Sequence, residues 1–364
     1  MISLRLEPRS APARWFGLAV GPVAIVATFV LTLGFVLAAG ANPIEAFHTF
    51  VVDPLTTRFT GLEVLVAATP LLFTGAAVAI AFRAGYWNIG AEGQLLVGAI
   101  AAAWGGTVVG GLPRPVAISV IIGLGALGGA VWALGPALMR VQLGIDEVVT
   151  TLLLNPVALL IVTGLLNGPW RNPVTQFPES ERISAKAEFP QIISSSRVHL
   201  GFVLALVIIA GAWFVLARTP TGLRLRAVGL RPDAARFAGI GVERVVFGAA
   251  LTSGAIAGLA GAGEVAGINY QLTDGISSGF GYTGIVVATL AALSMPGVVI
   301  AALFLGDLVV GADAAGLELN VPSQLADIVK GALLLVVISL LVLRRHRIAV
   351  RRRTVLGAQT EAVP

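Results

Sequence analysis

Residues 83–94 read RAGYWNIGAEGQ. The word contains a carboxylate, Glu92, two carboxamides, Asn88 and Gln94, and glycines at 85, 90 and 93. Apolar runs flank it, LLFTGAAVAIAF from Leu71 and LLVGAIAAAW from Leu95. Three chemistries suit such a group. It can lie in a water-exposed turn between two spans. It can bond the free amides of a broken helix, since irregular backbone in a membrane survives only where protein or a cavity surrounds it. Or it can line a pathway and bond the hydroxyl and amino groups of a solute. Gln94 is two residues from Glu92, so one regular helix does not put both on one face. A second carboxylate, Asp307, sits in FLGDLVVGA. An Asp at the centre of a membrane helix costs roughly 2.5–3.5 kcal/mol on insertion scales, and such groups face a bundle interior, water or a partner. Lys330 is the candidate partner of Asp307. Aromatic residues stand beside the polar ones: Tyr86 and Trp87 before Asn88, Tyr270 between Asn269 and Gln271, Tyr282 after Phe280. They suit either a stacking face for a ring-bearing solute or an aromatic belt at the membrane interface.

Other chemistries are missing from the sequence. There is no cysteine, hence no thiolate and no cysteine-ligated metal. His48, His199 and His346 are scattered without metal-ligand spacing. No G-x-x-x-x-G-K-[ST] phosphate loop is present, so the chain does not carry that ATPase motif. No Ser–His–Asp arrangement suggests a membrane enzyme.

The elements that position these residues are membrane helices. The chain has 364 residues, 57% hydrophobic and 12% charged, with mean hydropathy +0.92. Soluble domains carry about 25% charged residues. Apolar runs long enough to cross about 30 Å of hydrocarbon predict about ten spans, near 16–39, 62–82, 89–109, 115–139, 147–166, 199–217, 245–266, 281–294, 296–315 and 323–343. Pro296 separates the eighth, which is short, from the ninth. The run from Trp15 to about Ala39 is too long for a signal-peptide core of about 7–15 residues, so it reads as a retained first span.

Sidedness follows from charge. The pI near 10.4 reflects Lys and Arg that mark cytoplasmic loops rather than nucleic-acid binding. Arg5, Arg9 and Arg14 precede the first span; six arginines lie in the 218–244 loop and six after Leu343. Ten spans put all three groups on the cytoplasmic side; nine would put the basic tail outside. The expected organisation is all-α: a cytoplasmic N-terminal segment (1–15), a transmembrane domain (16–343) with a cytoplasmic loop at 219–244 and an extracytoplasmic loop at 167–198, and a basic cytoplasmic tail (344–364). The word RAGYWNIGAEGQ then falls at a helix break near the cytoplasmic ends of spans two and three. Glycines crowd the fourth and seventh spans, as tight helix packing requires. GYWNIG at 85–90 resembles GYTGIV at 281–286, a candidate internal two-fold repeat.

The loop TPTGLRLRAVGLRPDAARFAGIGVERV (219–245) is far less apolar than its neighbours. Thr219 and Pro220 form a helix start, and Pro232 opens a second short segment carrying Phe237 and Ile240. Ringed by arginines, it presents a small apolar knob. This pattern, T-P-x-G-x-x-x-R-A-V-G-x-x-P-x-A-A-x-x-A-G-I-x-V at 219–242, resembles the cytoplasmic coupling segment of ATP-binding cassette importer permeases of the ribose, nucleoside and branched-chain amino acid branch. N-I-G-A-E-G-Q at 88–94 and G-Y-T-G-I-V-V-A-T-L at 281–290 are similar to the nucleoside and simple-sugar subgroup. The likeness runs from about Leu62 to Leu343, with a departure at ALSMPG (292–297), where related chains often have a basic residue before the proline.

The resemblance implies a bacterial plasma-membrane permease subunit for nucleosides or related simple sugars. ATP and magnesium would be held by a separate cassette ATPase, not by this chain. A second permease, the same or a homologous chain, and an extracytoplasmic substrate-binding lipoprotein complete the implied assembly in the lipid bilayer. The coupling residues it implies are Thr219, Gly222, Arg226, Ala227, Gly229, Pro232, Ala234, Ala235, Ala238, Gly239 and Ile240. Asn88, Glu92, Gln94, Tyr86, Tyr282 and Asp307 are the candidate pathway residues. The alternatives are a permease for a ribose-type sugar or a branched-chain amino acid, and an ion-coupled secondary transporter using Glu92 and Asp307. A secondary transporter has no reason to carry the 219–242 segment.

Overall fold

The computed structural model describes residues 2–8, 16–38, 40 and 42–318, isolated helical positions between 328 and 340, and residues 346–352. Two units are present: Met1–Gly40 with Gln324–Pro364, and Ala41–Ser323. In the first, α1 (Phe16–Ala38) carries no acidic residue in its first turn and no basic residue in its last. Beside it in sequence, ISLRLE alternates apolar and polar residues, which is a strand pattern. Strand β1 (Ile2–Pro8) pairs antiparallel with β2 (His346–Arg352), Ile2 opposite Arg352 and Pro8 opposite His346. This ribbon is an addition to the all-α expectation. The predicted span at 323–343, Lys330 included, lies outside the described residues apart from those isolated helical positions.

The second unit is helical. Its helices are α2 (Pro43–Val51), α3 (Arg58–Arg83), α4 (Ala91–Val108), α5 (Arg114–Leu143), α6 (Glu147–Leu166), α7 (Leu200–Arg218), α8 (Pro220–Leu230), α9 (Pro232–Phe237), α10 (Val242–Glu264), α11 (Phe280–Leu290) and α12 (Met295–Glu318). Side-chain oxygens cap several starts: Asn42 accepts from the Ile44 amide, Thr57 from Thr60 and Asp146 from Val148. A π turn, Val265–Asn269, extends α10. Among the described residues, seven helices are long and apolar enough to cross a membrane. Helix α11, with 11 residues, is too short to do so alone. It is distinct from α12: Ala292 (φ 49°) and Leu293 (φ 60°) break the chain between them, and Pro296 falls in the first turn of α12. The short eighth segment therefore does not merge with the ninth.

Helix α10 forms the centre, packed on α3, α4 and α5. Its glycines make this possible. Gly254 and Gly258 face Gly129 of α5, and a Cβ at any of the three would overlap the opposite backbone. Gly261 packs in the same way on Leu95 and Ala99 of α4. In lipid, where apolar side chains gain little by meeting one another, such close backbone approach is what associates helices.

Candidate functional site

The polar word enters the bundle from the end that carries α8: Gly85 packs on Gly229, whereas Asn88 reaches Ser253 in the middle of α10. Helix α3 ends at Arg83, and Gly85 (φ 77°) turns the chain back. Residues 86–90 then run without helical structure before α4 opens at Ala91. Asn88 Nδ2 donates to Gln94 Oε1 and to Ser253 Oγ, each at 2.9 Å. Ser253 is the midpoint of α10, and its hydroxyl donates to the Ala77 carbonyl of α3 at 2.7 Å. Gln94 Nε2 returns a bond to Asn88 Oδ1 (3.1 Å), which also accepts from the Gly90 amide (2.9 Å). Asn88 and Gln94 are thus wholly buried and close on each other. Helices α4 and α11 each start after an irregular stretch, and their first turns meet.

Glu92 joins those two starts. Its Oε2 accepts from the Gly281 amide in the first turn of α11 at 2.7 Å. The helices touch so closely there that a Cβ on Gly281 would collide with the Glu92 amide nitrogen. Thr74 of α3 donates to the Phe280 carbonyl at 3.0 Å and holds the same end of α11. Glu92 is buried, so it is not in a water-exposed turn. A carboxylate at the positive end of a helix dipole is favourably placed. GYWNIG is irregular chain whereas GYTGIV is helix, so the two similar words take different structures.

Three residues that the sequence reading passed over hold the irregular stretch. Glu147, Thr151 and Asn155 stand at successive i+4 positions on one face of α6, and all are buried. Glu147 Oε1 accepts from the Trp87 amide (3.1 Å), and its other oxygen pairs with Arg140 of α5 (3.0 Å). Thr151 Oγ1 accepts from the Ile89 amide at 3.2 Å. Asn155 accepts from the Gly93 amide and donates to the Ile89 carbonyl, both at 2.9 Å. Backbone groups freed by the break are thereby bonded, as burial in a membrane demands. The signal was present in EVVTTLLLN, a polar stripe with helical period in an otherwise apolar span.

The remaining candidates are placed apart. Tyr86 is fully buried among Ala81, Ala137 and Ala250. Trp87 is half exposed, its ring 4.6 Å from that of Phe82. Tyr282 is exposed on α11. Asp307 is buried on α12, and its Oδ1 makes no hydrogen bond among the described residues. The neighbouring Gly306 packs on Val64 and Ala68, in the opening half of α3. Tyr270 adopts φ 59° beyond the π turn and lies under the Arg182 guanidinium, 4.8 Å from ring centre.

The 219–244 segment forms two short helices, as its prolines predicted. Thr219 Oγ1 accepts from the Gly222 amide at 3.4 Å, and Gly222 packs on the Leu216 backbone. Val228, Ala235 and Val242 form a small buried core with Ala227 and Ile240 beside it. Outside it stand Arg226, Pro232, Ala234, Ala238 and Gly239 (φ 78°). Phe237 is 97% exposed. Arg236 is held by Asp233 (3.2 Å) and Glu243 (2.9 Å). Gly229 matters most for the site. It packs so closely on the Arg83 carbonyl that a Cβ there would collide, and Gly85 faces it in turn. The two helices therefore rest directly on the hinge from which the polar word departs.

This pairing of a basic two-helix projection with a helical membrane bundle agrees with the sequence comparisons. A family model described as the permease component of branched-chain amino acid transport systems matches residues 61–338. The chain belongs to this family. The permease is 37% identical over 284 residues to the guanosine ABC transporter permease protein NupP of Bacillus subtilis, covering 76% of this chain and 80% of that one. It is 32% identical over 361 residues to the glucose ABC transporter permease protein TsgB13 of Haloferax volcanii, covering 96% and 94%. The nucleoside ABC transporter permease protein NupB of Lactococcus lactis is 29% identical over 323 residues, with 86% and 88% covered. No solved structure matches the permease. Family and apolar helices together make it a multi-pass protein of the plasma membrane and a transport subunit rather than a catalyst.

Proposed function

We propose that this permease translocates nucleosides or related simple sugars as one subunit of an ATP-driven importer. The observation that carries the mechanism is the packing of Gly229 on Arg83 and Gly85. A cassette ATPase, holding ATP and magnesium, would grip α8 and α9 around Phe237. Its closure would then push on the end of α3 and on residues 86–90, which lead to the starts of α4 and α11. Parting those two starts would open Asn88, Gln94, Ser253 and Glu92 to a solute rich in hydroxyl groups. Glu92 is in this reading first a positioning residue, holding α11 until the helices move. Its carboxylate already occupies the α11 N-terminus, where the carboxylate of an amino acid would otherwise be drawn. That favours neutral solutes over branched-chain amino acids, as do the names of the relatives.

Ten spans with both termini in the cytoplasm remain our reading of sidedness. The pairing of β1 with β2 supports it, since paired strands lie on one side of a membrane and require an even number of spans. The 16–343 region is then the transmembrane domain, with 1–15 and 344–364 cytoplasmic. A second permease subunit and an extracytoplasmic binding lipoprotein complete the importer. Uptake of labelled guanosine and glucose by cells carrying the complete system tests the proposal. Uptake should vanish when the ATPase is inactivated and survive collapse of the proton gradient. The opposite pattern would restore the ion-coupled alternative.

A further inference from the structure

At the end of the bundle that carries α8 and α9, a groove of about 570 Å³ opens between α7 and α10. Its floor is Ile80 of α3, and its walls include Ile208 and the glycines Gly211 and Gly248. A Cβ at either glycine would meet nothing within 4 Å, so the groove is open because side chains are missing, not because helices are strained apart. Arg224 of α8 and Arg244 of α10 line the same groove. Among the described residues neither guanidinium has an ion pair or a hydrogen bond. Arg236, by contrast, is committed to Asp233 and Glu243, and Arg140 to Glu147; what sets Arg224 and Arg244 apart from the other unpaired arginines of the projection is that they line this groove.

An apolar trough ending at two uncommitted arginines has a definite complement. It needs a hydrocarbon chain joined to a negatively charged head. Within a bilayer that description fits a phospholipid, whose phosphate can take charge-assisted bonds from guanidinium groups while an acyl chain fills the space beside Gly211 and Gly248. Anionic lipids of the cytoplasmic leaflet attract basic groups near the surface.

We infer that the groove between α7 and α10 is a binding site for an anionic phospholipid, with Arg224 and Arg244 holding the phosphate and the glycine-lined trough holding an acyl chain. Its assignment to the cytoplasmic leaflet rests on the sidedness proposed above; the site itself does not. A lipid seated there would brace α8 against α10 and so stabilise the projection that docks the ATPase.

The test is native mass spectrometry of the full-length chain in neutral detergent, titrated with phosphatidylglycerol or phosphatidylcholine. Phosphatidylglycerol should bind more tightly. Arg224→Gln and Arg244→Gln should each weaken it about fivefold, the equivalent of about 1 kcal/mol per basic residue, with phosphatidylcholine unaffected. The Gly211→Leu/Gly248→Leu double variant should weaken both lipids, and its melting temperature shows whether the bundle still folds. Unchanged phosphatidylglycerol binding in the arginine variants overturns the proposal. So does unchanged binding in the groove-filled variant, which would reduce the effect to surface charge. Displacement of the lipid by inorganic phosphate at equal concentration would instead assign the arginines to a free anion. The titration is independent of membrane orientation and of transported solute, so its failure leaves the importer reading standing, and the reverse also holds.

Discussion

A buried carboxylate must be held by donors, and Glu92 takes one from the Gly281 amide. Glu92→Gln keeps an acceptor there and loses only the charge against the α11 dipole. Glu92→Ala leaves a buried amide unbonded, a loss of about 1–3 kcal/mol. Melting temperature in detergent should therefore fall slightly for Glu92→Gln and further for Glu92→Ala. Equal melting for all three proteins would show that the bond holds nothing. Substrate affinity, measured separately on Glu92→Gln, then reads whether the carboxylate also meets solute. The residues of this network were only partly legible in the sequence. Asn88, Glu92 and Gln94 stood out as polar groups in an apolar setting. Glu147, Thr151 and Asn155 did not, because each looks ordinary alone: a helix-start acid, a threonine and one asparagine in a span. Only their common face, four residues apart, marks them, and what they face is the helix break itself.

Among the elements, most helix ends follow the hydropathy runs closely; the run at 147–166 is α6 to the residue. Such runs report composition along the chain but not the depth at which the chain re-enters the bundle. That is why the contact between the starts of α4 and α11, the π turn at 265–269 and the short α2 escaped the reading, although both starts were placed within two residues. The projection formed by α8 and α9 was foreseen from its prolines, but the roles within it need sorting by burial. Ala235 is buried against Val228 and Val242, so a bulky residue there would disrupt the projection itself. Phe237 is exposed and touches no core. Phe237→Asp should abolish stimulation of ATP hydrolysis by solute while leaving the melting temperature within about 1 °C of the parent, since surface changes cost within ±0.5 kcal/mol. Ala235→Trp should lower the melting temperature. ATPase coupling that persists in Phe237→Asp would move the docking face elsewhere.

For the whole molecule, two close contacts bracket the polar word: Gly229 of α8 packs on Arg83 and Gly85 where the word begins, and Gly281 of α11 packs on Glu92 near its end. The same network has a consequence for biosynthesis. The side-chain bonds that quiet the backbone of residues 87–93 come largely from far along the chain: 60 to 66 residues later for α6. Ser253, which steadies Asn88, comes 165 residues later, and Gly281 follows Glu92 by 189. At about 5–20 residues per second, the stretch waits roughly 3–13 s for α6 alone. Meanwhile its amides cannot rest in hydrocarbon. The expectation is that the nascent α3–α4 pair holds them in contact with water until α6 arrives. The chain has no cysteine of its own, so Ala91→Cys introduces a single thiol. That thiol should react with a water-soluble maleimide in chains stopped at residue 145 and resist it in the finished protein, with protection beginning once α6 is complete. Protection that appears only after α6 is made would mark insertion in two steps; protection already complete at residue 145 would show that the α3–α4 pair buries this stretch unaided.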